Sequence, residues 1–128
     1  MDIVTRKQIN ILIQLAEADK HFAKVERELI LKIAKDRNFP IEEVNELIKN
    51  PEQIETLGAL SPDQKFDYLY SCIELILIDQ NIFESEIVFC KSIAIKLGFK
   101  KSVIEFFLEN HGKIPHEQIK SIALTEYL

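Results

Sequence analysis

The chain has 128 residues, with 16 Lys and Arg against 21 Asp and Glu, a net charge of −5. Domains commonly run about 100–150 residues, and a chain of this size buries roughly two-thirds of its unfolded surface, so a single domain over 1–128 is expected without staples. Hydrophobic residues make up 47% and charged residues 29%, which excludes disorder. The acidic balance argues against nucleic acid, whose binders rely on Lys and Arg at phosphates, and against anionic membrane.

Two cysteines exclude a disulfide scaffold. The start Met1-Asp2-Ile3-Val4-Thr5-Arg6-Lys7 has no basic segment leading into an apolar run, so no signal peptide is expected. The most apolar stretch, Tyr68 to Ile78, is interrupted by Ser71 and Glu74 and is shorter than the roughly 20 residues of a membrane span. A cytoplasmic protein with reduced thiols and no membrane insertion is the expectation.

Helical spacing of apolar residues dominates and strand alternation is nearly absent. A first helix is expected over 2–19, with Val4, Ile11, Leu12 and Leu15 on one stripe, and a second over 25–37, with Leu29, Ile30, Ile33 and Ala34. Pro40 suits the first turn of a third helix carrying Val44, Leu47 and Ile48. A short helix is expected from Pro51 to about Leu57. Ser61-Pro62-Asp63-Gln64 is a capping-box start for a helix reaching about Asp79. Glu84 to Leu97 should form a helix stopped by Gly98. Lys101 to Asn110 follows, and Pro115 opens a final helix over about 115–127.

The two halves align without a gap at an offset of 60: Ile13 on Ile73, Leu15 on Leu75, Asp19 on Asp79, Glu26 on Glu86, Phe39 on Phe99 and Asn50 on Asn110. The repeat units cover about 9–50 and 69–110, each reading helix, acidic loop, helix, turn, helix. A single unit would be marginal alone, so two are expected to pack about a pseudo-twofold axis. The fold class is therefore all-α: a compact bundle of two pseudo-symmetric three-helix repeats plus a C-terminal covering helix. Glu17, Arg27, Glu43 and Glu46 correspond to Leu77, Ile87, Val103 and Phe106, so the second repeat has surplus apolar surface. The C-terminal helix, with Ile119, Ile122, Ala123 and Tyr127, is its expected cover; a homodimer face is the alternative.

Little of the chemistry points to catalysis. Cys72 and Cys90 align with Leu12 and Ile30 and read as core. His21, His111 and His116 lack metal-ligand spacing and read as surface or capping residues. There is no Gly-x-Ser-x-Gly, and Gly58, Gly98 and Gly112 make no phosphate loop. Lys91, Lys96, Lys100 and Lys101 read as a solvated face, and Glu74, aligned with Gln14, as solvent-facing.

The carboxylates form the one constellation. Asp19 ends one helix and Glu26 begins the next, and Asp79 and Glu86 repeat the spacing. Oxygen ligands at two ends of a tight loop suit Ca²⁺ or Mg²⁺. The competing role is local: Asp bonds loop N–H groups, and Glu in a first turn answers the helix dipole. This is no EF-hand, because Lys24 and Ile30, or Glu84 and Cys90, stand where Gly and Glu are required.

The stretch Ala18-Asp19-Lys20-His21-Phe22-Ala23-Lys24-Val25-Glu26-Arg27-Glu28 resembles the signature of the TerB-like tellurite resistance family, and Ile78-Asp79-Gln80-Asn81-Ile82-Phe83-Glu84-Ser85-Glu86 resembles its second, weaker copy. The resemblance spans about residues 5 to 110. It implies a compact bundle of about seven to eight helices and a link to tellurite resistance and stress. It also implies acidic loops proposed to bind divalent cations, with no catalytic activity attached. Asp19, Glu26, Asp79 and Glu86 match the shared acids, with Glu84 a weaker match. Lys20 and Gln80 replace the family's Gly, His21 and Asn81 a usually acidic position, and Ala23 and Phe83 a small polar cap. The charge of Lys20 and Lys24 opposes a cation, which makes the second loop the better half of such a site.

These readings give one leading expectation, a non-catalytic domain contacting an unknown protein partner, with no resident cofactor. The alternative is a divalent-cation-binding or sensing domain using the repeated acids.

Overall fold

A computed structural model describes residues 3–18, 23–55, 57–78 and 82–128. Among these the protein is all-helical, with no strand. Its elements are α1 (Ile3–Ala16), α2 (Lys24–Asp36), α3 (Ile41–Lys49), α4 (Pro62–Leu77), α5 (Glu84–Leu97), α6 (Val103–Asn110) and α7 (His116–Ile122), the last continuing into a π-helical turn, Ala123–Tyr127. No helix among the described residues is long and apolar enough to cross a membrane. The chain forms two compact units, one from residues 1–54 and 75–86, the other from 55–74 and 87–128. Helices α4 and α5 each contribute to both.

In the first unit α1, α2 and α3 pack on one another. Ile9, Leu12, Ile13, Leu15, Ile30, Ala34, Val44 and Leu47 are fully or almost fully buried. Helix α2 ends because Asn38 takes a left-handed conformation, φ 56°. The Phe39 N–H then donates to the Ala34 carbonyl at 2.8 Å, and Phe39 is buried. This is a Schellman ending, with Asn where Gly is commonest. Helix α5 ends the same way: Gly98 has φ 97°, and the Phe99 N–H donates to the Ala94 carbonyl at 2.9 Å. These two helix endings thus match residue for residue, sixty positions apart.

The helix expected from Pro51 is absent, since residues 51–55 carry no helical turn. Non-local bonds replace it. Glu52 N–H donates to Asn10 Oδ1 at 3.0 Å, Asn10 Nδ2 donates to the Glu52 carbonyl at 2.9 Å, and Gln14 Nε2 donates to the same carbonyl at 2.6 Å. Backbone groups so satisfied by α1 side chains gain nothing from an i→i−4 ladder. Pro40 stands one position earlier than expected, as the N-cap of α3.

In the second unit α4 starts with the expected capping box. Gln64 N–H donates to Ser61 Oγ at 3.2 Å, and Ser61 N–H to Gln64 Oε1 at 3.0 Å. Phe66 and Tyr70 of α4 stack at 5.2 Å, and both meet the Phe107 ring of α6 edge-on. The C-terminal segment lies over this unit. Ile119 and Ala123 are fully buried, Phe106 and Tyr127 rings stack at 5.3 Å, and Lys120 Nζ reaches Asp63 Oδ1 at 3.1 Å. Lys100 N–H donates to the Tyr127 carbonyl at 2.7 Å. Phe106 and Val103, part of the surplus apolar set, are half-buried and fully buried respectively.

Candidate functional site

Helices α2 and α5 each place a glutamate at their third residue. Glu26 and Glu86 are each 1% exposed. Glu26 Oε1 accepts from the Ala23 N–H at 3.1 Å, and Glu86 Oε1 from the Phe83 N–H at 3.2 Å. This is one half of a capping box. Ala23 and Phe83 have no side-chain oxygen to return the second bond. The carboxylates lie at the positive ends of two helices, which favours their charge. Both belong to the first compact unit, which takes its second acidic segment from residues 75–86.

The remaining acids of the sequence motif fall differently. Glu84 is the exposed first residue of α5. Asp19 and Asp79 lie outside the described residues, as does His21. Among the described residues, no group of three or more His, Cys, Asp and Glu side chains is placed to hold a metal ion.

Four apolar side chains edge the same two loop segments. Val25, Ile78, Ile82 and Phe83 are 40%, 40%, 45% and 39% exposed. All four lie in the first unit. The sequence treats them as ordinary members of helical stripes or as loop residues. Only their exposure singles them out, and periodicity carries no signal for that at a helix end.

Elsewhere the polar clusters are occupied by structural bonds. Arg6 forks onto Glu52, with Nη2 2.8 Å from Glu52 Oε2, and also pairs with Glu43. Its hydrogen bonds hold the Glu52 carboxyl below the usual carboxylate range. Arg6, Glu42, Glu43 and Glu46 line a shallow, open depression. Lys91, one of the four lysines read as a solvated face, pairs with Glu105 at 2.7 Å, lowering the Glu105 carboxyl. Glu74 is exposed, and Cys72 and Cys90 are fully buried.

His111 caps α6 and sets Nδ1 2.8 Å from the Tyr70 hydroxyl. The His116 ring meets Tyr70 edge-on at 5.0 Å. Burial, followed by the nearby Glu74 charge, raises the Tyr70 hydroxyl above its ordinary pKa. Tyr70 stands at the position of Asn10 in the first repeat. Each grips the chain just after the third helix of its repeat, Asn10 at Glu52 and Tyr70 at His111.

Comparison with models of known families, with curated proteins and with solved structures gives no match.

Proposed function

We propose that this chain is a non-catalytic, TerB-like interaction domain whose partner surface is the loop-bearing end of its first unit. The observation that carries the reading is the exposure of Val25, Ile78, Ile82 and Phe83 at the edges of both acidic loops. Scattered single apolar residues are ordinary, whereas a contiguous exposed group marks an interaction site, and these four flank two segments of one unit. Aromatic and aliphatic side chains at such a place supply the anchors of a protein interface. The family resemblance adds a stress or tellurite-resistance setting.

The test is affinity capture from the native cell with wild type and an Ile82→Asp/Phe83→Ser double variant, each checked for unchanged melting. A partner retained by wild type and lost by the variant supports the reading. Equal capture by both refutes this surface.

A divalent-cation-sensing role is the second reading, favoured by two buried carboxylates at equivalent helix positions in one unit. An amide-resolved NMR titration with Ca²⁺, Mg²⁺ and Mn²⁺ tests it. Saturable shifts confined to residues 19–26 and 79–86, and abolished in Asp79→Ala, are expected. A flat response at millimolar metal assigns Glu26 and Glu86 to capping alone.

A further inference from the structure

The internal repeat supplies its own control for what the fold requires of each surface position. On α2 the outward stripe is Lys24, Val25, Glu28, Lys32, Lys35 and Asp36, all exposed. Apart from Val25 at its loop end, it is a charged face, with Lys24 and Glu28 paired at 4.0 Å. The same positions on α5 are Glu84, Ser85, Val88, Ser92, Ile95 and Lys96, and all are again exposed. Exposure is conserved between the halves while chemistry is not. Val88 replaces Glu28 and Ile95 replaces Lys35, and they stand 58% and 60% exposed. Nothing in the helix geometry calls for apolar side chains there, because α2 serves with charged ones.

We infer that the Val88–Ser92–Ile95 stripe of α5 is a self-association surface, which a second copy of this chain covers with its own α5 running antiparallel. Two observations and one general property of helices point to that occupant. Ser92 sits between the two apolar residues, and its hydroxyl already donates to the Phe89 carbonyl at 2.6 Å, so the centre of the stripe is small and makes no polar demand. A small side chain at the contact lets two helix axes come closer together. Secondly, the stripe has opposite charges at its ends, Glu84 and Lys96. A parallel partner would set like charges together. With Val88 facing Ile95 of the second copy, an antiparallel partner brings Lys96 of that copy within about one turn, ~5 Å along the axis, of Glu84. Thirdly, antiparallel helices also oppose their dipoles favourably. The arrangement is isologous and closes as a dimer.

The surface is small. A stable interface covers about 800 Å² per partner, more than one 14-residue helix stripe offers, so association is weak and shows at about 0.1–1 mM.

Sedimentation equilibrium on the full chain over that range tests it, with wild type, Ile95→Glu, Glu84→Lys and the Glu84→Lys/Lys96→Glu exchange. The expected result is a concentration-dependent dimer, at least tenfold weaker in Ile95→Glu, weakened in Glu84→Lys, and restored in the exchange variant. All substituted positions are exposed, and melting curves verify that each variant is folded. A wild type that stays monomeric to about 1 mM overturns the inference. So does a dimer indifferent to Ile95→Glu, or one that the charge exchange does not restore. Partner capture at Ile82 and Phe83 is a separate readout, so the two proposals fail independently.

Discussion

Asn10 holds both backbone polar groups of Glu52, accepting from its N–H at 3.0 Å and donating to its carbonyl at 2.9 Å, across 42 residues of sequence. The contact fixes where the chain goes after α3. Asn10→Ala should cost about 1–2 kcal/mol, because both bonds to Glu52, and the one accepted from Gln14, are lost at a nearly buried side chain. Urea unfolding measures it, and amide exchange at Glu52 should accelerate in the variant.

The Arg6–Glu52 pair gives that segment a pH dependence. A carboxylate whose folded pKa is lowered adds stability that is fully present above its unfolded value, about 4.3, and lost as pH falls through the folded one. Wild type should therefore lose more stability than Glu52→Gln on going from about pH 5 downwards. Denaturation midpoints at stepped pH check this, and parallel curves would refute it.

Glu86 should separate capping from charge. Glu86→Ala removes the acceptor of the Phe83 N–H in a buried place and should cost about 1–2 kcal/mol. Glu86→Gln keeps an acceptor oxygen, as in capping boxes that use Gln, and should cost clearly less. Thermal or urea unfolding of the two variants gives the ranking.

Ile119 measures the docking of the C-terminal helix. Its side chain is fully buried, so Ile119→Ala should destabilise by about 2–4 kcal/mol through lost transfer energy and an unfilled cavity. A cost near zero would mean that α7 is not packed in solution. Urea unfolding followed by circular dichroism reports the cost.

Much of the fold was legible because its determinants are local. Ser61 and Gln64 announce α4 within four residues, and Gly98 needs only its own freedom at positive φ. The offset aligned Phe39 with Phe99, and in the structure both follow a Schellman ending, at Asn38 and at Gly98. What failed was the stretch after Asn50. Pro51 and the following polar residues read as a helix start, yet their partners are Arg6, Asn10 and Gln14 on α1. No window of sequence contains both sides of those bonds. The π turn at Ala123–Tyr127 was missed for a related reason, since its Tyr127 carbonyl accepts from Lys100, on a different element. Of the candidate site, the first-turn glutamates were identifiable from type and position. Their burial was not, because a glutamate at a helix start is ordinarily a surface residue.

The two halves perform one task with opposite chemistry, and so they will respond to different solvents. The segment leaving α3 is tied by an arginine fork and by hydrogen bonds from side-chain amides. The one leaving α6 is tied by Tyr70 within a cluster of rings. Molar salt shortens the reach of charge to about 3 Å and should loosen the first tie while sparing the second. Cooling weakens apolar contact and should do the reverse. A single fold thus carries one ionic and one thermal weak point, at equivalent places sixty residues apart.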